Sequence, residues 1–236
     1  MEGIIVKGIG GFYYIKAVDN NVYECRARGI FRKEKIKPMI GDKVDFENGA
    51  ITKIHKRKTM LIRPAAANVD MMLLVVAAAS PEPNLFLLDK MLISAGQAGI
   101  ETVLCINKSD LADRDDIGEI YSKAGYKVVY TSAEKDKGID EIRKITHGRI
   151  TAFAGLSGVG KSTLLSKITG LDIETGEISD KILRGKHTTR HVELFSINDN
   201  TFVLDTPGFS SLEICGIKSD ELWRYFPEMK DSDGMC

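Results

Sequence analysis

The sequence predicts an α/β domain with a mostly parallel sheet, preceded by a small all-β barrel. Short segments rich in β-branched and aromatic residues, separated by Gly, Asn and Asp, fill residues 1–64. Strands this short and this close together are typical of a small antiparallel barrel. Continuous apolar runs follow and alternate with segments of helical spacing. This second pattern is typical of parallel strands that helices cover on both faces.

The elements are assigned in chain order from these patterns. Barrel strands are expected at 12–18, 21–28, 42–48 and 50–56, and Arg63 with Pro64 marks a boundary. The apolar runs at 71–79 and 102–106 predict buried strands joined through a helix at 85–99. The remaining predicted elements are strands at 127–130, 150–154 and 201–204 and helices at 114–124, 138–146 and 161–169.

Composition narrows the class of protein. The 236 residues, 43% of them hydrophobic and 28% charged, are typical of a globular chain of one or two domains. The longest apolar run is about half the ~18–20 residues of a membrane-spanning helix, and the N-terminus lacks the features of a signal peptide. The four cysteines are scattered without pairs, which favours a reducing compartment over a disulfide framework. A cytoplasmic protein without a membrane span is therefore expected.

The formal net charge of zero conceals an asymmetry between the two ends of the chain. Residues 1–64 hold 14 Lys and Arg against 7 Asp and Glu, whereas residues 65–236 hold 19 against 26. A small basic domain is therefore joined to a larger acidic one, and such an asymmetry indicates different partners for the two.

A phosphate-binding loop is predicted between the strand at 150–154 and the helix at 161–169. The segment GLSGVGKS matches the pattern G-x-x-x-x-G-K-[ST] in the strand–loop–helix context that this motif needs. Its backbone N–H groups are expected to face phosphates, with the Lys161 ammonium on the β- and γ-phosphates and the Ser162 hydroxyl on Mg²⁺. The predicted nucleotide-binding residues of this loop are Gly155, Leu156, Ser157, Gly158, Val159, Gly160, Lys161, Ser162 and Thr163.

A second motif, NKSD, predicts which base is bound. A carboxylate only accepts hydrogen bonds, and guanine presents two adjacent donors where adenine presents an acceptor, so Asp110 favours guanine. Asn107 is expected to contact the other edge of the base and to brace the loop, and the Lys108 stem to cover the ring. The predicted base-binding residues are Asn107, Lys108, Ser109 and Asp110, with Ser132 and Ala133 in a weaker second loop after 127–130.

Two further motifs predict a metal site and a switch. The strand at 201–204 leads into DTPG, where Asp205 is expected to hold Mg²⁺ through water and the Gly208 N–H to meet the γ-phosphate. The segment GKHTTR lies between the phosphate loop and this strand. Its Thr188 and Thr189 are candidates for direct Mg²⁺ ligation, and the alternative for this segment is a polar surface loop.

Phe209 stands where many GTPases place a Gln that orients the attacking water. A phenyl ring cannot orient water by hydrogen bonding, which predicts slow intrinsic turnover and another group or partner that supplies the function. His187 is the nearest candidate for handling water. The predicted catalytic residues are therefore Lys161, His187 and Gly208.

The order of the motifs is itself informative. GTPases usually begin with the phosphate loop, whereas here the order is NKSD, TSA, GLSGVGKS, HTT and DTPG, a circular permutation of the same sheet. Every motif still follows a parallel strand, where open α/β sheets bind ligands. With the N-terminal barrel, GLSGVGKST, GKHTTR and DTPGF, the whole chain resembles the circularly permuted GTPases of the RsgA or YjeQ family.

The resemblance implies an OB-type RNA-binding barrel at 1–64, a circularly permuted α/β P-loop GTPase domain at 65–214, and the start of a zinc-binding subdomain at 215–236. It implies a GTP hydrolase that binds GTP, GDP, the 30S ribosomal subunit and 16S rRNA. This hydrolase would assist late maturation of the subunit and be stimulated by the ribosome. Cys236 stands at the first zinc-ligand position, and one cysteine cannot complete a four-ligand zinc site. A monomer is expected.

The barrel's basic residues fall into two clusters accompanied by aromatic side chains, a combination with which such barrels hold single strands. The first cluster is Arg26, Arg28, Arg32, Lys33, Lys35 and Lys37, the second is Lys53, His55, Lys56, Arg57 and Lys58, and the aromatic residues are Tyr13, Tyr14, Tyr23 and Phe31. A solvated basic face around core aromatic residues is the alternative.

Two other functions remain open. A small-molecule kinase or ATPase would use the same phosphate loop, but NKSD disfavours it. A nucleotide-gated RNA-binding module with negligible hydrolysis would suit Phe209.

Overall fold

The structure, a computed structural model, describes residues 1–33, 36–62, 64–170, 193–198, 200–205 and 216–230. Its first part is a closed barrel of five strands in the order β1-β2-β3-β5-β4. The strands are β1 (Glu2–Ile9), β2 (Phe12–Ala17), β3 (Val22–Ala27), β4 (Lys43–Glu47) and β5 (Ala50–Ile54), and a short helix α1 (Ile30–Lys33) precedes β4. The predicted all-β barrel is confirmed.

Apolar side chains from every barrel strand meet in one core. Its members are Ile5, Ile15, Ala17, Cys25, Phe31, Val44, Phe46 and Ile51. Paired strands run antiparallel, except that β5 returns alongside β3 in the parallel direction. The prediction of an antiparallel barrel is therefore wrong for this one pair of strands. Strands β3 and β5 run in the same direction because β4 lies between them in the chain and runs in the opposite direction. Strand β1 was missed because glycines at positions 3 and 8 interrupt its apolar pattern.

A buried ion pair fastens the chain that follows β5. The Arg57 guanidinium donates to both carboxylate oxygens of Asp42, at 2.7 and 2.8 Å, and to the Lys37 carbonyl at 2.7 Å. Asp42 is fully buried. The hydrogen bonds to Asp42 raise the pKa of Arg57 above its ordinary value. A two-stranded sheet of β6 (Met60–Leu61) and β7 (Ala66–Ala67) comes next.

The second part is a six-stranded sheet in the order β10-β9-β8-β11-β13-β12. Strand β9 pairs in parallel with β8 and β10, and β12 is antiparallel to β13. The strands are β8 (Met71–Ala77), β9 (Glu101–Asn107), β10 (Lys127–Tyr130), β11 (Ile150–Ala154), β12 (Leu194–Asn198) and β13 (Thr201–Asp205). Every residue of β8 and β11 is buried, as their apolar runs predict. The edge strand β12 was not predicted, because only Leu194 in it is buried.

Helices alternate with many of the strands of this sheet along the chain. They are α2 (Leu85–Gln97), α3 (Asp115–Lys123), α4 (Ile139–Thr146), α5 (Lys161–Thr169), a 3₁₀ helix (Ser219–Tyr225) and α6 (Pro227–Lys230). Helix α2 begins where the Asn84 side chain accepts the Leu87 N–H at 3.0 Å, a typical N-cap. None of the helices in the described ranges has the length and hydropathy of a membrane span.

The chain groups into two compact units. One contains Met1–Asp70 with Gly148–Ala152 and the described strands of 194–205, and the other contains Met71–His147 with the described residues of 153–186 and 216–230. The second unit contains the loops that carry the predicted base-binding and phosphate-binding residues.

Candidate nucleotide-binding site

The phosphate loop joins β11 to α5, as its motif predicts. Its φ angles are 147° at Gly155, 79° at Gly158 and 94° at Gly160, values that residues with a Cβ rarely adopt. A Cβ on Gly155 would overlap the Val75 carbonyl oxygen, and one on Gly160 would overlap Asn107 Nδ2. The loop therefore requires glycine for its backbone conformation and also for its close approach to β8 and β9.

Lys161 is the first residue of α5, and its ammonium turns back over the phosphate loop. Nζ donates to the Gly155 carbonyl at 2.9 Å and to the Leu156 carbonyl at 2.7 Å. Ser162 and Thr163 follow in the same turn and are half-buried. The positive end of the helix dipole lies at this turn, so the loop, the ammonium and the helix N-terminus together suit an anion.

The Asn107 side chain links the base loop to the phosphate loop. Nδ2 donates to the Val159 carbonyl at 2.9 Å. Oδ1 accepts the Thr131 hydroxyl at 3.1 Å and the Ala133 N–H at 3.2 Å. Asn107 as a whole is 1% exposed. These contacts are of the kind that the predicted bracing role requires. Through them the Asn107 side chain connects the base loop to the phosphate loop and to the TSA loop.

Lys108 makes a second link between the same loops. Its Nζ donates to the Gly158 carbonyl at 2.8 Å and to the Ser80 carbonyl. The residue has a φ of 60°, in the left-handed region that residues with a Cβ rarely adopt. The lysine stem therefore extends from the end of β9 to the phosphate loop.

Asp110 presents an exposed carboxylate at the end of the base loop. A hydrogen bond from the Ser132 side chain lowers the pKa of this carboxyl, and the charges of Lys135 and Lys137 lower it further. The carboxylate is therefore ionised near neutral pH and can only accept hydrogen bonds. The Ser109 N–H donates to the Thr131 carbonyl at 3.0 Å, which fixes the motif against the TSA loop.

The predicted metal and switch residues are only partly within the described ranges. Ser162 stands in the first turn of α5 and Asp205 is the last residue of β13. A hydroxyl oxygen is a ligand that suits Mg²⁺, so the chemistry of Ser162 fits a hard divalent cation. His187, Thr188, Thr189, Gly208, Phe209 and Cys236 lie outside the described residues.

Two residues of this network were not predicted from the sequence. Cys105 Sγ lies 3.2 Å from the Thr131 hydroxyl, which in turn donates to Asn107. Alternation along a strand puts Cys105 and Asn107 on the same face of β9, and this spacing is the signal that could have found the cysteine. Thr131 is the first residue of the TSA triplet, of which only Ser132 and Ala133 were given a role from the sequence.

Most residues of the two predicted basic clusters are exposed on the barrel, whereas Lys35 and the side chain of Arg32 lie outside the described part of the chain. Exposed cations on this basic surface are Arg26, Arg28, Lys33, Lys37, Lys53, Lys56 and Lys58. The Arg26 guanidinium lies 4.3 Å from the centre of the Phe12 ring, a cation–π contact that the sequence did not indicate.

Three residues assigned to this surface have other partners. Arg57 is held by Asp42, and His55 Nε2 lies 2.9 Å from Asp45 Oδ1. Phe31 is 6% exposed and belongs to the barrel core, so its ring cannot stack on a base. The expectation was wrong for Phe31, because a pattern of aromatic residues does not tell a core ring from a surface ring. His55, Asp45 and Glu2 form the one group of three close metal-ligating side chains in the described ranges, and it contains no predicted ligand.

The NKSD and GLSGVGKS loops thus follow two strands of one sheet, β9 and β11, and the NKSD loop comes first in the chain. This arrangement defines a circularly permuted GTPase, an enzyme that hydrolyses GTP, and the barrel before it is of the OB type. The chain belongs to the RsgA GTPase family: the family model described as RsgA GTPase matches residues 54–215, and the RsgA N-terminal domain model matches residues 2–53.

Relatives and solved structures agree with this assignment. The small ribosomal subunit biogenesis GTPase RsgA of Alkaliphilus metalliredigens is 49% identical, over 95% of this chain and 80% of the relative. Its counterpart in Agathobacter rectalis is 43% identical, over 100% and 85%. The crystal structure of YjeQ from Thermotoga maritima superposes with a TM-score of 0.79 at 34% identity, covering 95% of this chain and 80% of YjeQ. The circularly permuted GTPase YloQ superposes with a TM-score of 0.77 at 36% identity, covering 100% and 80%.

Proposed function

We propose that this GTPase binds the small ribosomal subunit and its 16S rRNA, assists late maturation of the subunit, and hydrolyses GTP faster when bound to it. Relatives covering nearly the whole chain carry the name small ribosomal subunit biogenesis GTPase. Within this proposal, residues 1–64 are the RNA-binding domain and residues 65–214 are the GTPase domain. The nucleotide part rests on one observation, the Asn107 amide that joins the base loop to the phosphate loop.

Guanine is selected by hydrogen-bond polarity. The ionised Asp110 accepts from N1–H and N2–H₂ of guanine, and an adenine ring would place an acceptor against the carboxylate. Ser132 supports the carboxylate from behind, and the Lys108 stem covers one face of the ring. A site of this type rejects the wrong base strongly, because buried polar groups are left without partners.

The phosphates lie along the backbone N–H groups of 155–160 at the N-terminus of α5. Lys161 leaves the carbonyl oxygens of its own loop and binds the β- and γ-phosphates, where it stabilises the charge that develops as water attacks in line. A Mg²⁺ ion would be held by Ser162, Asp205, Thr188 and Thr189, and it would neutralise phosphate charge. In this proposal the Gly208 N–H would meet the γ-phosphate, and His187 would position the attacking water, because Phe209 stands where many GTPases have a Gln.

RNA binds the barrel through exposed cations and stacking. Arg26 over Phe12 offers a flat cationic surface, and the exposed lysines of 53–58 add charges that phosphates neutralise. Replacing Arg26 with Ala should weaken RNA binding by the full chain and reduce its salt dependence. Lys123→Ala, which removes an exposed lysine on α3, is the matched control. RNA affinity that does not change with salt would contradict this part of the proposal.

GTP hydrolysis by the full chain, with and without purified 30S subunits, tests the main proposal. We expect stimulation of about ten-fold or more, equivalent to about 1.4 kcal/mol of barrier. Lys161→Ala should abolish it, whereas Lys167→Ala, which removes a lysine of the same helix paired with Asp136 at 2.9 Å, should not. Guanine nucleotide binding without stimulation would instead favour a nucleotide-gated RNA-binding module.

A further inference from the structure

A buried chain of hydrogen bonds lies beneath the proposed guanine site. Cys105 Sγ, Thr131 Oγ1 and Asn107 Oδ1 follow one another at 3.2 and 3.1 Å. The chain continues from Asn107 Nδ2 to the Val159 carbonyl at 2.9 Å. Cys105 and Thr131 have no exposed surface, and neither residue has a role in the function proposed above.

The protons available fix the direction of this chain. Val159 offers a carbonyl and Ala133 offers an N–H to the same amide, so the Asn107 nitrogen must face Val159 and its oxygen must face Ala133. Oδ1 can only accept, so the single hydroxyl proton of Thr131 is directed at it. The Thr131 oxygen is then left to accept from the Cys105 thiol. Burial raises the pKa of Cys105 to about 12, so the thiol keeps its proton at neutral pH.

Each member of the chain therefore holds the next in one orientation. If the Asn107 amide turned over, its nitrogen would face the Ala133 N–H and its oxygen would face the Val159 carbonyl, and both contacts would repel. The Thr131 hydroxyl favours the observed orientation because it adds a second donor to Oδ1. A buried network of this kind is stable only when every polar group has its partner.

We propose that Thr131 and Cys105 are positioning residues that fix the Asn107 amide, tie the base loop to the phosphate loop, and thereby set the rate at which bound GDP leaves. This inference rests on the proposed function only in that these loops bind guanine nucleotide. Thr131 acts directly on Asn107, and Cys105 acts through Thr131.

The release rate of a fluorescent GDP analogue from the full chain tests this inference. Thr131→Val removes the hydroxyl and keeps the side-chain shape, and we expect release about ten-fold faster, equivalent to about 1.4 kcal/mol. Thr131→Ser restores the hydroxyl and should return release toward the rate of the unmodified protein. Cys105→Ala should accelerate release by a smaller factor, and Cys105→Ser, which keeps a donor, should not.

The chain offers a matched control at Thr151. This residue is fully buried in β11, and its hydroxyl has no hydrogen-bond partner among the described residues. Thr151→Val makes the same chemical change as Thr131→Val, so it should leave release unchanged. Melting temperatures of all variants, measured without nucleotide, separate a loss of folding from a change in release.

The outcomes separate this inference from the proposed function. Release from Thr131→Val no faster than from Thr151→Val, or equally fast release from Thr131→Ser and Thr131→Val, would overturn the inference and leave guanine binding intact. If Thr131→Val does not fold, the Cys105→Ala and Cys105→Ser pair decides by the same comparison. An unmodified protein that binds no GDP would overturn the nucleotide part of the proposed function itself.

Discussion

The Arg57 guanidinium holds the fully buried Asp42 carboxylate through two hydrogen bonds of 2.7 and 2.8 Å. Arg57 therefore binds both oxygens of the carboxylate, and one of them, Oδ2, also accepts the Met39 N–H at 2.8 Å. A bidentate pair of this kind fixes geometry as well as charge, which Lys cannot reproduce. Arg57 is therefore a structural residue of the barrel, although it lies within a run of basic residues.

Arg57→Ala is expected to lower the free energy of unfolding by about 3 kcal/mol, because it leaves the Asp42 carboxylate buried without its positively charged partner. Lys58→Ala removes the neighbouring exposed charge and should change stability by less than about 0.5 kcal/mol. Chemical denaturation of both variants measures the difference. Similar small losses in the two variants would show that the ion pair adds nothing to stability.

Gly160→Ala should lower GDP affinity by about ten-fold or more, because the new Cβ would overlap Asn107 Nδ2 and push the two loops apart. Gly148→Ala is the control. Gly148 has a similar positive φ of 71°, but a Cβ there would meet nothing within 4 Å. The control should lose about 1–2 kcal/mol of stability from its backbone conformation and keep its GDP affinity. Equal GDP affinity in both variants would contradict the close contact as the cause.

Asp110→Asn should lower GDP affinity by about 100-fold or more, because an amide presents a donor to one of the two guanine donors. Xanthine carries a carbonyl where guanine carries its amino group, so the same variant should gain affinity for xanthosine diphosphate. Competition of both nucleotides against a fluorescent GDP analogue measures the exchange of preference. Unchanged selectivity would place the base elsewhere.

GDP binding should persist as the pH falls from 8 to about 5, since the pKa of Asp110 is lowered by its hydrogen bond from Ser132. A lowered pKa keeps the carboxylate ionised in this range, and binding is lost only as the pH falls through that lowered value. Ser132→Ala removes the hydrogen bond and should shift the loss of binding to higher pH. Identical pH profiles for the two proteins would exclude this role for Ser132.

Cys105 should resist alkylation in the native protein at pH 8, because burial raises its pKa to about 12 and leaves no thiolate to react. The raised pKa also means that stability falls as the pH rises above ~8.5, since the unfolded thiol ionises there while the folded one does not. Iodoacetamide treatment followed by mass spectrometry of the Cys105 peptide measures the first effect. Rapid native labelling would show that the strand opens.

Local motifs predicted the nucleotide loops well because their chemistry resides in short contiguous segments. The strand–loop–helix around GLSGVGKS and the strand before NKSD are both confirmed. The individual site roles stay predictions. Thr131 and Cys105 were missed because their contribution depends on pairing between β9 and β10, which no single segment contains.

The barrel was predicted in kind but less well in detail. Burial decided which side chains face solvent, and the charge pattern alone could not separate Arg57 from the exposed Lys58. The contact between Phe12 and Arg26 was not predicted, because the two residues lie opposite each other on paired strands. The register of β2 and β3 sets this pairing, and the sequence alone does not show it. Strand β1 is stabilised by pairing with β2 and β4, and its glycines interrupt the apolar pattern by which a strand is predicted.

The contact between Asn107 and Val159 spans 52 positions of the chain. Synthesis runs from the N-terminus, so the base loop leaves the ribosome well before the phosphate loop that completes it. A nascent chain that ends before residue 160 holds half of a nucleotide site. If both loops are needed to bind GTP, as proposed, a growing chain gains that affinity only after β11 and its loop have joined the sheet.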